Sequence, residues 1–236
     1  MKQTFIVNEG NPRLLLFFAG WGADETPFKE YRPQGCDYLI CYDYRTLTFD
    51  SSLLDGYNEV NVVGWSMGVW AATHVLGKLS GETSGRLPRL NRSVALNGTP
   101  FPADETRGIP PAIYRGTLEG LTGASLNKFL RRMCKDGAAY KAFLQVTPRR
   151  PLEELRDELI AIEKVAASQP LPAFHWTKAV VGTDDRIIPP ANQLNCWQEL
   201  SQLSPSLLDA CEACEGLAHY DEPMFHHYLQ EAWTND

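Results

Sequence analysis

No stretch of this sequence approaches the ~20 consecutive apolar residues that a membrane-spanning helix needs, so no membrane partner is expected. The opening MKQTFIVNEGNPR lacks the apolar centre of a secretory leader, which makes a cytoplasmic location the expectation. Internal repeats and low-complexity tracts are absent as well. Positive charge is in deficit: the net charge of −7 argues against general nucleic-acid binding. Cysteine is present but sparse and scattered, at Cys36, Cys41, Cys134, Cys196, Cys211 and Cys214. In a long leaderless chain this usage points to reduced thiols and not to a disulfide framework. The CEAC pair, Cys211 and Cys214, has no second pair or histidine cluster to complete a zinc site. It also lacks the helix-opening context of a redox motif.

What is there is enough for one well-buried core: 236 residues, 44% hydrophobic and 22% charged. Short apolar, β-rich runs recur at RLLLFF (13–18), DYLICYDY (37–44), VNVVGW (60–65), SVALNGTP (93–100) and TKAVVGTDD (177–185). Each stops at a glycine, proline or Asp/Asn signal, and helix-like stretches, notably 67–79, lie between or after them. Continuous apolar strands alternating with helices imply an α/β fold, a mostly parallel sheet covered on both faces.

The rhythm breaks over 100–176, which is bounded by the proline-rich joints TPFPADE, IPPAI and SQPLPAFHW. Two amphipathic helices are expected inside it. The first, about 125–145, starts at a Ser125 cap and turns Leu126, Phe129, Leu130 and Met133 to one side. The second, about 151–167, has Pro151 in its first turn and Leu152, Leu155, Leu159 and Ile162 on one face. The expected organisation is therefore a core of residues 1–99 and 177–236 with a helical cap inserted at 100–176.

The chemistry centres on GWSMG, residues 64–68, where an apolar strand runs directly into a helix. A serine on so tight a turn projects its hydroxyl from the C-terminal edge of the sheet. Small residues two places to either side avoid a clash with strand and helix. Ser66 is the candidate nucleophile. An orienting acid and a base should follow it in chain order. VVGTDDRIIPP offers Asp184 and Asp185; the spacing to Gly182 and Pro189 favours Asp185 and leaves its neighbour open. Of five histidines, His74 falls inside the helix after the serine and His175 precedes the acid. His219, in the loop EGLAHYDEP, is preferred over His226 and His227, which fall in the last helix. The backbone N–H of Met67 is one candidate oxyanion donor, and that of Trp21, in the glycine-flanked FFAGWG loop, is the second.

These residues together resemble the α/β-hydrolase superfamily over essentially the whole chain. Within it, LLFFAGWG, LICYDY and VVGWSMGVW are similar to the pimeloyl-acyl-carrier-protein methyl ester esterases of the BioG type, which act in biotin synthesis. The resemblance implies hydrolysis of the methyl ester at the far end of a pimeloyl chain held on acyl carrier protein. It places the nucleophile on Ser66, the acid on Asp185 and the base on His219. No metal and no organic cofactor is needed for this chemistry. An acyl thioesterase or general short-chain carboxylesterase would use the same residues, and a non-catalytic acyl-carrier-binding module is the rival from another class.

One compositional feature bears on the partner. Residues 115–150 hold eight lysines and arginines against Glu119 and Asp136, a net +6 that leaves −13 on the remainder. Lys128, Arg131, Arg132 and Lys135 form one stripe of the first cap helix, backed by Arg149 and Arg150. Acyl carrier proteins are strongly acidic, so this stripe could steer and dock one; otherwise it is a solvated helix face.

Overall fold

The computed structural model describes residues 1–82, 88–231 and 233 of the chain. Its centre is a sheet whose strands are β1 (Lys2–Val7), β2 (Arg13–Phe18), β3 (Cys36–Tyr42), β4 (Glu59–Trp65), β5 (Arg89–Leu96), β6 (Lys178–Gly182) and β7 (Cys211–Cys214). They lie side by side in the order β1-β3-β2-β4-β5-β6-β7. Only β1 runs antiparallel to its neighbour; the other pairings are parallel. Leu14 through Phe18 have no exposed surface although successive side chains point to opposite faces. Strand β2 is thus covered above and below, which is why it reads as an unbroken apolar run.

All five strands expected from apolar runs are present, and two more flank them. Strand β1 is half-exposed along most of its length, and β7 exposes Cys211, Glu212 and Ala213. Neither carries the continuous apolar pattern that marks an interior strand. The strict alternation of strand and helix also fails near the start. The link from β2 to β3 contains no helix, and that from β3 to β4 contains only a short 3₁₀ turn, Ser51–Leu54. Aromatic side chains do the covering here. Phe28 of the first link and Phe225 of helix α7 (Glu222–His226) meet Phe17 at 4.9 and 6.2 Å between ring centroids. Numbering the other helices in chain order, α1 (Met67–Glu82) packs on β2 and β4, and α6 (Pro190–Leu203) packs on β6 and β7.

Between β5 and β6 stand four helices: α2 (Pro111–Glu119), α3 (Gly123–Met133), α4 (Gly137–Phe143) and α5 (Leu152–Ser168). The single helix expected over 125–145 is two. Cys134 adopts an extended conformation that ends α3, and the Asp136 carboxylate then caps α4 through the N–H groups of Ala138 and Ala139, both at 2.9 Å. The start is also earlier than expected. Thr122 is the cap, and Ser125 sits at the third position, completing a reciprocal capping box. In α5 the cap residue is Pro151 itself, and Leu155, Leu159 and Ile162 form the buried stripe. Helix α2 opens with Pro111, inside what reads in sequence as a joint. Among the described residues no helix is long and apolar enough to cross a membrane. Cys36, Cys41, Cys134 and Cys196 are buried free thiols, whereas Cys211 is an exposed one.

Candidate active site

Ser66 closes β4 and precedes α1 with a φ of 56°, in the left-handed region that a side chain other than glycine rarely takes. The turn is held by the Ser66 N–H donating to Leu96 O at 3.0 Å and by its carbonyl accepting from Val69 N–H at 3.0 Å. The requirement for glycine two residues on is steric. A Cβ on Gly68 would lie 2.0 Å from the carbonyl oxygen of Phe18, so α1 could not approach β2 as closely as it does. One on Gly64 would press on Trp176 and on the Val69 backbone.

The loops after β6 and β7 bring two more side chains to this turn. His219 Nε2 lies 3.0 Å from Ser66 Oγ, and His219 Nδ1 lies 2.8 Å from Asp185 Oδ2. With an ionised carboxylate on one side, Nδ1 carries the proton and Nε2 is left as the acceptor for the serine hydroxyl. Ser66, Asp185 and His219 are each at least 95% buried. Asp185 is held from every side. Its Oδ1 accepts the Ile187 and Ile188 N–H groups at 2.8 and 3.0 Å, and its Oδ2 also accepts Gln193 Nε2 at 2.8 Å. Asp184, the other acid that sequence left open, is exposed.

The histidine loop is fixed by Asn97 at the end of β5. Its Nδ2 donates to the Ala218 and His219 carbonyls at 2.7 and 3.2 Å, while its Oδ1 accepts the Gly182 N–H at 2.7 Å. The Trp65 indole adds a 2.9 Å bond to His219 O. The other histidines lie elsewhere. His74 is buried in α1 against Trp70, and burial, with a smaller contribution from Lys78, lowers its pKa to about 4. His175 meets Asp209 at 2.8 Å, and the half-buried His226 and the exposed His227 lie near Glu231.

Gly20, Trp21 and Met67 line a cavity with Ser66 and His219. Met67 is the first residue of α1, so its N–H lies at the helix end where donors have no partner within the helix. Among the described residues neither the Trp21 nor the Met67 N–H is bonded within the protein. The cavity above Ser66 is narrow, about 30 Å³, and mostly apolar in its walls. It adjoins a wider groove of about 370 Å³ between α2 and α3, with Trp21, Ile113, Thr117, Phe129 and Arg132 lining both.

Lys128, Arg131, Arg132 and Lys135 are all exposed and share a recess with Arg186, which directly follows Asp185. Sequence reading passed over Arg186, whose signal is its position beside the acid and not any helical spacing. Arg149 is exposed too, but Arg150 is not part of this surface. Its side chain is 4% exposed, and its guanidinium is paired with Glu158 at 2.7 Å and Asp43 at 3.0 Å. The expectation that Arg150 contacts a partner therefore fails, because three acidic groups, Asp43, Glu154 and Glu158, draw it inward.

A mostly parallel sheet with a strained serine between β4 and α1, and with a carboxylate and a histidine delivered by later loops in that order, defines an α/β-hydrolase. The same fold is seen in a lipase-esterase related protein from Clostridium acetobutylicum. The two share 14% identity over 97% of this chain and 93% of that one, at a TM-score of 0.60. Within the class, the family model described as pimeloyl-ACP methyl esterase BioG matches residues 1–209, and the chain belongs to that family. It is similar to BioG from Haemophilus influenzae, whose crystal structure it matches end to end with 36% identity and a TM-score of 0.82. It is also 50% identical, over 92% of its length, to a malonyl-[acyl-carrier protein] O-methyltransferase of Bacteroides fragilis; it spans only 41% of that longer relative.

Proposed function

We propose that this protein is a serine carboxylesterase that removes the methyl ester from a pimeloyl chain carried on acyl carrier protein, a step of biotin biosynthesis. The observation that carries the reading is the continuous hydrogen-bonded chain from Ser66 through His219 to Asp185, on the floor of an apolar cavity. His219 Nε2 takes the proton of Ser66 as the hydroxyl adds to the ester carbonyl. Asp185 holds the imidazole in the required tautomer and stabilises its charged form. The oxyanion of the tetrahedral intermediate is bound by the Met67 and Trp21 N–H groups. His219 then returns its proton to the leaving methoxide, methanol departs, and an acyl-enzyme remains. Water, deprotonated by the same histidine, hydrolyses that ester and frees Ser66.

Residues 100–176 act as a cap in this reading. The groove between α2 and α3 leads the acyl chain down to Ser66. Lys128, Arg131, Arg132 and Lys135, together with the exposed Arg149, attract the acidic carrier protein. Family membership supports the substrate, and the position of the basic recess next to the groove supports the docking side.

The test is hydrolysis of pimeloyl-acyl carrier protein methyl ester by the wild-type protein and by Ser66→Ala, with the thioester followed in parallel. Loss of the ester that requires Ser66 and spares the thioester is the expected result. Loss of the thioester instead would make the protein a thioesterase, and undiminished turnover by Ser66→Ala would remove the serine from the mechanism.

A further inference from the structure

The loop that carries the second oxyanion donor is gripped by residues far away in sequence. Gly20 to Ala23 form a tight turn closed by the Ala23 N–H donating to Gly20 O at 3.2 Å, with Gly22 at φ 75°. A left-handed third residue is the mark of a type II turn, whose central peptide can flip to give the type I form. Three contacts hold the turn in place, and the first of them opposes that flip. The Gly22 N–H faces Glu158 Oε2 at 3.4 Å, and the Trp21 indole donates to Leu155 O at 2.9 Å. Arg150 Nη1 reaches the Ala23 carbonyl at 3.4 Å. A flipped peptide would aim the Trp21 carbonyl at the Glu158 carboxylate in place of an N–H.

Glu158 is itself completely buried and bonded on its other oxygen to the Tyr44 N–H at 2.8 Å. The Tyr44 hydroxyl donates to Ala19 O at 2.6 Å, so the loop is held at its beginning as well. Burying Glu158, Arg150 and Asp43 together carries a large desolvation cost, and a packed apolar trio could be as stable. What an apolar trio lacks is an acceptor aimed at the Gly22 N–H. We infer that Glu158, oriented by Arg150, is a positioning residue that pins the Trp21–Gly22 peptide and so anchors the loop whose preceding peptide presents the Trp21 N–H beside Ser66. This rests on the reading of Ser66 as the nucleophile and of Trp21 as an oxyanion donor.

The experiment uses the full chain with Glu158→Gln and Trp21→Phe. A carboxamide at 158 must turn its NH₂ toward either the Tyr44 N–H or the Gly22 N–H and Arg150. Phenylalanine at 21 keeps the backbone donor and an aromatic ring in the cavity wall while removing the indole bond to Leu155 O. Reactive Ser66 is counted with a fluorophosphonate, and kcat and KM for p-nitrophenyl acetate are expressed per reactive serine. The affinity of an alkyl trifluoromethyl ketone, whose adduct carries an oxyanion, is measured beside them. The expected result for Glu158→Gln is a fall in kcat of about 10–100-fold with KM within about twofold and the ketone weakened in parallel. Trp21→Phe should show the same pattern at about 3–10-fold. A role confined to stability would lower the titratable fraction and Tm alone. A kcat per serine and a ketone affinity within about twofold of wild type in Trp21→Phe and in whatever Glu158→Gln folds would overturn the inference. Should Glu158→Gln not fold, Arg150→Lys, which keeps the charge but loses the guanidinium bond that orients Glu158, decides by the same readouts. Absence of any fluorophosphonate reaction in the wild-type protein would instead refute the serine mechanism itself.

Discussion

Replacing Asp185 by asparagine tests the site at the point where its wiring is most constrained. Oδ1 of Asp185 accepts two backbone N–H groups, from Ile187 and Ile188, so an asparagine places its carbonyl oxygen there. The NH₂ then occupies the Oδ2 position, facing His219 Nδ1 and Gln193 Nε2. It donates to Nδ1, which moves the imidazole proton to Nε2 and points a donor at Ser66 Oγ in place of an acceptor. Gln193 cannot rescue the geometry, because its Nε2 also donates to Ile188 O at 2.9 Å and a flip would break that bond. The wrong tautomer in such triads lowers kcat about 10⁴-fold, close to 5.5 kcal/mol of barrier. The buried donor–donor contact with Gln193 adds a stability loss of about 1–3 kcal/mol. Hydrolysis of p-nitrophenyl acetate by Asp185→Asn and Asp184→Asn, each corrected for folded fraction, measures both effects. Asp184 is exposed and its variant should stay within about twofold of wild type. A loss below about tenfold in Asp185→Asn, or equal losses in the two variants, would refute the assignment of the acid.

The remaining predictions concern docking, packing and pH. Reversing Arg131 and Lys135, which lie in the basic recess and outside the cavity over Ser66, to glutamate should weaken turnover of the carrier-bound ester at least about tenfold while p-nitrophenyl acetate is hydrolysed within about twofold; equal losses on both would discard the docking surface. Gly68→Ala drives a methyl group to 2.0 Å from the Phe18 carbonyl and should cost about 3 kcal/mol or more, seen as a drop in the urea midpoint. His74 is neutral in the folded protein because burial lowers its pKa from 6.5 to about 4. The unfolded chain therefore binds the extra proton first. Stability from this residue is complete above pH 6.5 and declines as pH falls toward 4, by about 1–3 kcal/mol. His74→Gln should flatten the urea midpoint against pH across that window; an unchanged slope would show that His74 is not the group responsible.

The interior strands and the serine turn were legible because each depends on local pattern. An unbroken apolar run such as RLLLFF admits few readings, and glycine at 64 and 68 is demanded by contacts that the motif itself implies. The edge strands β1 and β7 were not legible, since an edge buries one side at most and leaves no run to see. The cap helices were read from periodicity, which is sound for the faces of α3 and α5 but blind to the break at Cys134. An extended Cys134 ends one helix, and an Asp136 side chain bonded to two N–H groups begins the next, with no loss of apolar spacing. The least legible part was Arg150. It closes the basic segment 115–150 of the sequence, whereas its partners in space are the acids Asp43, Glu154 and Glu158. Charge counted along a chain says nothing about which charges face inward.

Asn97 joins the strand end beside the serine turn to the end of β6 and to the histidine loop, by bonds that do not involve the four helices between β5 and β6. In the proposed mechanism the proton-transfer chain is consequently armed before any substrate arrives, and no binding energy is spent on assembling it. Selectivity in such an enzyme cannot come from withholding catalysis until the right molecule docks. It has to come from admission: the narrow cavity over Ser66 and the groove above it decide which esters reach an attacking group that is always ready. Small esters that slip past this filter are then hydrolysed as a matter of course, and widening the throat at Ile113 or Phe129 broadens the substrate range without touching the chemistry.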